Sequence, residues 1–281
     1  MNKKIKYFFL VVFFAFLSFG LVYYLFFTSD KTLETPNKTE LNLNDQKHEE
    51  VAKVDNFQIP IFMYHYIRDA SNEDDLGKGL SVHPENFGAQ IKWLKDNNYE
   101  SVKLADLADE KLQAISKAYL AKKKPIVITF DDGYLDAYTQ AFPELKKHDF
   151  TGTFFIIRNS VGKDDSFYLN EAQISEMTNA GMEIGSHTLT HPDLTKISLN
   201  DAKAQIEESK QNAEVFCYPA GRFNDEVANL VKESGYKAAV TTNFGYASEE
   251  SDLFILRRVR IEDTNLQAFA DKISAALESK Y

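Results

Sequence analysis

The chain begins with one long apolar run, before any alternating pattern sets in. Residues Tyr7 to Phe27 are almost wholly apolar, and at about 1.5 Å per helical residue they match a hydrocarbon core of roughly 30 Å. Lys3, Lys4 and Lys6 precede this run, and no comparable basic cluster follows it. The positive-inside rule keeps such an N-terminus in the cytoplasm. We therefore expect a single-pass membrane anchor, with the rest of the chain outside a bacterial cell.

A cleaved signal peptide is the alternative interpretation of this segment. Ser18-Phe19-Gly20 would supply the small-residue cleavage site and the protein would be secreted, but the apolar run continues to Phe27, which favours the anchor. Residues 28–57 are rich in Thr, Asn, Asp, Glu and Lys and lack apolar periodicity, which is typical of a flexible tether. The sequence thus predicts an anchor at 1–27, an extracellular tether at 28–57 and a catalytic domain at 58–281.

From Gln58 onward, short apolar runs alternate with segments of helical periodicity. The predicted strands are Ile59–Ile67, Pro125–Phe130, Thr151–Ile157, Met182–Gly185, Val215–Tyr218, Ala238–Thr242 and Leu253–Ile261. The predicted helices are Glu85–Asn97, Tyr134–Lys147, Glu171–Ala180, Leu199–Asn212, Asp225–Ser234 and a closing amphipathic helix through Leu266 and Leu277. This order predicts a parallel α/β fold, doubly wound or barrel, with its site at the carboxyl ends of the strands.

Composition and charge exclude several classes of protein. The hydrophobic content of 44% and aromatic content of 13% suffice for a globular core. The net charge of −10 opposes nucleic-acid binding, which needs a basic surface to neutralise phosphates. Cys217 is the only cysteine in the sequence, so neither an internal disulfide nor a zinc site of several cysteines can form. We expect a monomer with no nucleic-acid partner.

Two adjacent carboxylates end one predicted strand. Asp131 and Asp132 follow the apolar run 126–130 and precede Gly133. Adjacent side chains of a strand point to opposite faces, so both carboxylates reach one site only if the strand ends there, and Gly133 permits such a turn. A buried strand rarely ends in two acids unless they bind something positive. A solvated turn or a helix N-cap is the alternative interpretation.

Two histidines follow the predicted strand Met182–Gly185. His187 and His191 stand at i and i+4 and can converge on one metal if the segment makes a single turn. Pro192 disfavours helical geometry at His191, and no Glu follows His187, so this is not the HExxH helix of metalloproteases. One carboxylate with two histidines is a usual catalytic zinc set, which leaves a second carboxylate free to act as general base.

A third strand end turns through proline and glycine in the segment YPAG at 218–221. It is either a plain loop between strand and helix or a groove wall with a backbone N–H aimed at a reacting carbonyl. Together with TFDDGY at 129–134 and SHTLTH at 186–191, in this order, it resembles the first three motifs of the polysaccharide deacetylase family. This family is carbohydrate esterase family 4, the NodB-homology domain. The resemblance covers roughly residues 59–261.

The resemblance implies a distorted (β/α) barrel and a site residue by residue. Asp131 corresponds to the catalytic base, while Asp132, His187 and His191 correspond to the ligands of a divalent metal. Zn²⁺ suits this ligand set, and Co²⁺, Ni²⁺ or another first-row ion fits similar sites. The backbone N–H of Tyr218 corresponds to a donor that helps to hold the oxyanion.

The chain departs from the family pattern in its third motif and near its C-terminus. Many members begin the third motif with an arginine, where this chain has Phe216 and Cys217 before Tyr218. Many also carry a late Leu-x-His motif that supplies the general acid, and no histidine follows His191 in this sequence. The general acid must therefore come from another part of the chain.

Two further segments resemble the branch that deacetylates poly-N-acetylglucosamine of biofilms. MYHYI at 63–67 makes His65 the candidate general acid, with a core histidine bonded to backbone as the alternative. LRRVRI at 256–261 resembles that branch's late arginine motif. It implies that Arg258, or else Arg257 or Arg260, orients Asp131.

The function implied is metal-dependent removal of N-acetyl groups from N-acetylglucosamine units of an extracellular polysaccharide. Biofilm poly-N-acetylglucosamine is the first candidate polymer and peptidoglycan the next. The alternatives are an O-acetyl polysaccharide esterase and a non-catalytic glycan-binding protein on the same fold. The Asp131-Asp132 and His187–His191 pairs favour an enzyme, because a binding module needs no base beside a metal.

Overall fold

The computed structural model describes residues 57–109, 112–164 and 166–278. The predicted anchor and the predicted tether, apart from Phe57, lie outside these ranges, so both stay predictions. Within the described ranges no helix is both long and apolar enough to cross a membrane.

Strands and helices alternate along most of the described chain. The strands are β1 Gln58–Tyr64, β2 Tyr66–Ile67, β3 Ser81–Val82, β4 Tyr99–Ser101, β5 Lys124–Phe130, β6 Thr153–Ile156, β7 Glu183–Ser186, β8 Val215–Cys217, β9 Ala238–Phe244, β10 Tyr246–Ser248 and β11 Leu256–Arg260. The α-helices are α1 Asp75–Leu80, α2 Pro84–Asp96, α3 Gln113–Leu120, α4 Phe142–Lys147, α5 Glu171–Asn179, α6 Leu199–Lys210, α7 Asp225–Glu233 and α8 Leu266–Glu278.

A closed parallel sheet forms the centre of the fold. Its strands follow the order β1, β5, β6, β7, β8, β9 and β11, and β11 pairs again with β1. The closure is visible at Phe62, which stands opposite Ile128 of β5 on one side and Val259 of β11 on the other. β10 pairs antiparallel with the first residues of β1, and β4 lies beside β5. The predicted (β/α) barrel is therefore confirmed.

Successive residues of β1 contribute to different layers, as the period of two of a strand requires. Ile61 and Val127 are fully buried in one cluster, which combines residues of β1, β5, β6, β8, β9 and β11 with apolar residues of the segment 102–115. Phe62 belongs to a second cluster and packs edge-on against Phe269 of α8, with ring centroids 5.4 Å apart. The barrel thus has an interior core and an outer layer of helices, and its strand ends are left free to form a site.

The structure differs from the predicted elements at several boundaries. The predicted strand Ile59–Ile67 is broken at His65 into β1 and β2. The predicted helix Tyr134–Lys147 is confirmed from residue 135 onward, but its first half contains the π-helical stretch Ala137–Ala141, which precedes α4. The short elements β4, β10 and α3 were missed, because their few apolar positions carry little periodic signal.

Asp136 is a poorly satisfied carboxyl at the start of this π-helical stretch. Its Oδ1 is buried and has no hydrogen-bond partner among the described residues. Burial raises the pKa of Asp136 to about 6, against the opposing effect of a backbone hydrogen bond from Ile67 and of the Arg68 charge. Since the folded state then binds a proton more readily than the unfolded state, ionisation of Asp136 costs stability as the pH rises through about 6.

We expect Asp136→Asn to stabilise the protein at pH 8 and to change little at pH 4.5. The amide stays neutral at both pH values, and the gain at pH 8 should be roughly 1 kcal/mol after a discount for partial exposure. Urea unfolding at the two pH values measures the difference, with Asp149→Asn at an exposed carboxyl as the control. A gain of equal size at both pH values would contradict the assignment of a costly ionised Asp136.

Candidate active site

The two adjacent aspartates face one site because the backbone turns sharply at the end of β5. The Asp131 N–H still donates to the Tyr64 carbonyl at 3.0 Å, so Asp131 continues the pairing with β1. Asp132 and Gly133 then adopt left-handed conformations, with φ values of 75° and 76°. The predicted turn therefore includes Asp132 itself as well as Gly133, and both carboxylates are buried.

A buried guanidinium from β11 holds Asp131. Arg258 donates from Nη1 to Oδ1 at 2.7 Å and from Nη2 to Oδ2 at 2.8 Å, a bidentate pair. Its Nε donates to the Thr241 carbonyl at 2.7 Å, and Nη1 also reaches the Thr129 hydroxyl at 2.9 Å. Arg258 is fully buried. Of the three arginines considered from the sequence, Arg258 is the one that the structure brings to Asp131.

Asp131 and the neighbouring His65 differ in their affinity for a proton. Burial raises the pKa of Asp131, but the charge and hydrogen bonds of Arg258 outweigh it and hold that pKa well below its usual range. His65 Nε2 lies 3.8 Å from Asp131 Oδ2, beyond hydrogen-bond distance. Burial lowers the pKa of His65, although the charges of Asp131 and Asp132 partly offset this. At neutral pH the site therefore holds an ionised Asp131 beside a neutral His65.

The histidine segment forms a turn of irregular backbone, as Pro192 indicated. Thr188 and His191 have φ values of 65° and 60°, and the His191 N–H donates to the Thr188 hydroxyl at 2.9 Å. The Oε1 atom of Gln205, in α6, accepts hydrogen bonds from the N–H groups of Leu189 and Thr190 at 3.1 and 3.0 Å. The turn brings the two imidazole rings to a centroid distance of 4.7 Å.

Asp132, His187 and His191 have the geometry of a metal site. The distances from Asp132 Oδ1 to the Nε2 atoms of His187 and His191 are 3.3 and 3.6 Å. Ligands at about 2.1 Å from a tetrahedral zinc lie roughly 3.4 Å apart, so the spacing fits. His187 Nδ1 lies 2.7 Å from the Cys217 carbonyl, which can only accept, so Nδ1 carries the proton and Nε2 is free to ligate. The donor set therefore fits a divalent cation.

A second group of three, Asp131, His187 and Cys217, is also close enough to surround an ion. Arg258 opposes a cation there, because it binds both oxygens of Asp131 and its Nη2 lies 3.3 Å from Cys217 Sγ. His187 Nδ1 is likewise taken by the Cys217 carbonyl. We therefore place the metal site at Asp132, His187 and His191.

The expectation for Tyr218 requires a correction. Its backbone N–H donates to the Val240 carbonyl at 3.2 Å in the register of β8 with β9, and its hydroxyl donates to the Phe254 carbonyl at 2.9 Å. The next N–H of the loop, at Ala220, has no acceptor among the described residues, and Ala220 is left-handed with a φ of 53°. Gly221 holds this loop against β9, since a Cβ there would lie 2.5 Å from the Thr242 nitrogen. The available donor is the N–H of Ala220.

The site opens into a groove. A cavity of about 360 Å³ is lined by Asp132 and His191 together with Tyr134 and Tyr168, and a volume of this order suits a small ligand. A larger cavity of about 760 Å³ is lined by residues of α5 and α6 and contains none of the predicted site residues. Because only the smaller of these two cavities contains metal-ligand candidates, we assign it as the candidate active site.

Comparison with known proteins shows which family the described domain resembles. The family model described as polysaccharide deacetylase matches residues 119–239. A Bacillus subtilis (strain 168) protein named as a polysaccharide deacetylase, YxkH, is 34% identical over 212 residues, which cover 73% of this chain and 71% of that protein. The poly-beta-1,6-N-acetyl-D-glucosamine N-deacetylase of Staphylococcus aureus (strain MRSA252) is 26% identical over 222 residues, which cover 72% of this chain and 74% of that one.

A solved structure resembles the whole described domain. The Streptococcus pyogenes deacetylase PplD in complex with acetate superposes with a TM-score of 0.69 and 31% sequence identity. The match covers 80% of this chain and 100% of that chain. The barrel fold is therefore shared with a deacetylase.

Proposed function

This chain belongs to the polysaccharide deacetylase family, and we propose that it removes N-acetyl groups from N-acetylglucosamine units of an extracellular polysaccharide. The observation that carries the proposal is the pairing of an Arg258-held carboxylate, Asp131, with the three converging ligands Asp132, His187 and His191. This arrangement provides a base beside a metal site, the pair of groups that metal-dependent hydrolysis of an amide uses.

We favour poly-N-acetylglucosamine as the polymer, and peptidoglycan is the next candidate. The support is the Staphylococcus aureus relative, whose name states that substrate, together with the segments around His65 and Arg258 that suggested this branch.

The residues of this chain divide the chemistry between them. A divalent cation held by Asp132, His187 and His191 would polarise the acetamide carbonyl and lower the pKa of the attacking water. Asp131, oriented by Arg258, accepts the proton of that water as it attacks. The Ala220 N–H is the donor that we assign to the developing oxyanion.

We assign delivery of the proton to the leaving amine to His65. His65 Nε2 lies 3.8 Å from Asp131 Oδ2, beyond hydrogen-bond distance, so the neutral ring takes its proton from solvent, and Asp131 returns the proton of the attacking water to solvent after turnover. The protonated ring then donates to the amine nitrogen as the carbon–nitrogen bond breaks, releasing acetate and a glucosamine unit. This sequence needs no histidine from the C-terminal part of the chain.

The proposed location follows from the apolar run Tyr7 to Phe27, which we interpret as a single-pass anchor. The catalytic domain would then work outside the membrane, within reach of a surface polymer through the tether. Cleavage after Gly20 would release the same domain.

Metal removal gives the first test. We expect the purified full chain, in detergent, to release acetate from oligomers of poly-N-acetylglucosamine or from peptidoglycan, and to lose that activity with a chelator. Restoring Zn²⁺ or Co²⁺ should restore the activity. His191→Ala should lower both the bound metal and acetate release, whereas His148→Ala, at a histidine paired with Glu144, should leave both unchanged. Acetate release that survives removal of the metal would contradict the proposal.

Parallel assays separate the alternatives. An O-acetylated xylan should release acetate in preference to the N-acetylated polymers if the protein is an esterase. A protein that binds metal and glycan but releases no acetate from any of them would be a glycan-binding protein on this fold.

A further inference from the structure

Four aromatic side chains cluster beside the groove, and two of them, Tyr134 and Tyr168, line it. Tyr66 and Tyr134 stack with ring centroids 3.9 Å apart, and Tyr134 also stacks on Tyr168 at 5.6 Å. Phe167 lies edge-on to Tyr134 and Tyr168 at 5.2 and 4.9 Å. We call Tyr66, Tyr134, Phe167 and Tyr168 the aromatic ledge.

The aromatic ledge is attached to the catalytic strand end. Tyr134 and Tyr168 form an isolated antiparallel bridge. The Leu135 N–H donates to the Phe167 carbonyl at 2.8 Å, and the Leu169 N–H donates to the Gly133 carbonyl at 3.0 Å. Because Gly133 directly follows Asp132, these bonds fix the position of the ledge relative to the metal site.

The far side of the aromatic ledge is supported by a cation. The Arg68 guanidinium lies 3.7 Å from the centroid of the Tyr66 ring, and its Nη2 pairs with Glu73 at 3.3 Å. Stacking on an aromatic face suits the planar guanidinium. Arg68 therefore holds Tyr66 in place.

The aromatic ledge also presents an apolar surface to solvent. Phe167 is 37% exposed, although large apolar side chains on this domain are mostly buried. Tyr134 and Tyr168 line the same cavity as Asp132 and His191, so the ledge is continuous with the site where an acetamide would react. Tyr66 and Tyr134 are only partly buried and belong to none of the hydrophobic clusters of the described domain, and the neighbouring Phe167 ring is exposed, so packing of the core does not account for the ledge.

We propose that the aromatic ledge binds the pyranose ring adjacent to the sugar unit that is deacetylated. The inference rests on the proposed function and adds a residue, Phe167, that determines preference for polymers. A pyranose presents C–H groups on one face, which pack on an aromatic ring, while its hydroxyl groups remain in water. A neighbouring ring bound in this way would hold the acetamide over the metal site and make the enzyme faster on chains than on small acetyl compounds.

The test compares a chain with a small substrate on the full-length enzyme. For each variant we would measure kcat/KM on a pentamer of β-1,6-linked N-acetylglucosamine and on 4-nitrophenyl acetate, which contains no sugar. Loss of one stacking ring should lower the ratio of these two values roughly five- to tenfold in Phe167→Ala. Phe167→Trp should retain the wild-type ratio, since the stacking surface is kept. Leu266→Ala, at another exposed apolar side chain, is the control and should leave the ratio unchanged.

Failure of this inference is distinguishable from failure of the proposed function. If wild type and Phe167→Ala have the same ratio, the aromatic ledge does not bind substrate, and the deacetylase function stands. If the wild type releases acetate from neither the pentamer nor peptidoglycan, the proposed function fails, and calorimetric titration with the pentamer tests glycan binding by the ledge. A five- to tenfold weaker affinity of Phe167→Ala would then support a glycan-binding ledge, while equal affinities would overturn it.

Discussion

Asp131→Asn is expected to lower the rate of acetate release by roughly a hundred- to ten-thousandfold, the usual contribution of a general base. Asparagine keeps the shape of the side chain and one acceptor for Arg258, but it cannot take a proton from water. Asp131 is not among the three converging ligands, so bound metal should stay at the wild-type level. Single-turnover acetate release and metal content, measured on the same preparation, check both parts of the prediction.

Asp132→Asn is the matched comparison for this experiment. The two residues are adjacent and both buried, yet only Asp132 lies within reach of His187 and His191. We expect Asp132→Asn to lose metal as well as activity. If Asp131→Asn also loses its metal while remaining folded, the division of roles between the two carboxylates is wrong.

The sequence was most informative where chemistry requires particular residue types at a strand end. Asp132, His187 and His191 were predicted to lie together, and the structure places their ligand atoms within 4.8 Å of one another. The signal was strong because two histidines and a carboxylate have little reason to converge without a cation. The positive φ of Asp132 was not predictable, because aspartate adopts the left-handed conformation only occasionally and no sequence pattern indicates where it does so.

The backbone hydrogen bonds of the site could not be predicted from the sequence. The choice of Tyr218 as oxyanion donor failed because its N–H belongs to the ladder between β8 and β9, which depends on register. The Cys217 carbonyl, which sets the tautomer of His187, was missed for the same reason. A backbone hydrogen bond of this kind does not depend on a particular side chain, so it cannot be predicted from the residue type.

The choice among three arginines shows the same limit for side chains. Arg258 and Arg260 share one face of β11 by the period of two, so alternation alone excludes only Arg257. The strand pairing between β1 and β11 decides between the other two. Arg260 stands opposite Met63, near the end of β1, whereas Arg258 lies two residues earlier in β11, is fully buried and donates to Asp131. Cys217 leaves room for this guanidinium, in the motif where many family members carry their own arginine.

Arg258→Met is expected to destabilise the protein by about 3–5 kcal/mol, the cost of leaving a buried charge without its partner. Arg258 is fully buried, and its loss strands the Asp131 carboxylate and the Thr241 carbonyl. Acetate release should also fall, because Asp131 loses the group that orients it. Arg257→Met, on the same strand but partly exposed, is the control and should cost less than about 1 kcal/mol. Urea unfolding at pH 7 measures both variants.

The pH dependence of the stability that Arg258→Met loses identifies the cause of that loss. In the wild type Arg258 depresses the pKa of Asp131, so the pair stabilises the fold above the unfolded pKa of about 3.9 and that contribution is lost as the pH falls. In Arg258→Met burial loses its main opposing effect and outweighs the smaller effects of His65 and His187, so the pKa of Asp131 rises and the variant gains stability as the pH falls from 7 to 5. The difference in unfolding free energy between wild type and variant should therefore shrink over that range.

The double variant Asp131→Asn with Arg258→Met completes the argument, because it removes both buried charges together. We expect it to recover most of the stability that Arg258→Met loses, since replacing a buried ion pair by neutral groups is often nearly neutral in stability. Acetate release should nevertheless stay as low as in Asp131→Asn, because no base is restored. A double variant as unstable as Arg258→Met would show that Arg258 stabilises the barrel chiefly through Thr241 and Thr129 rather than through Asp131.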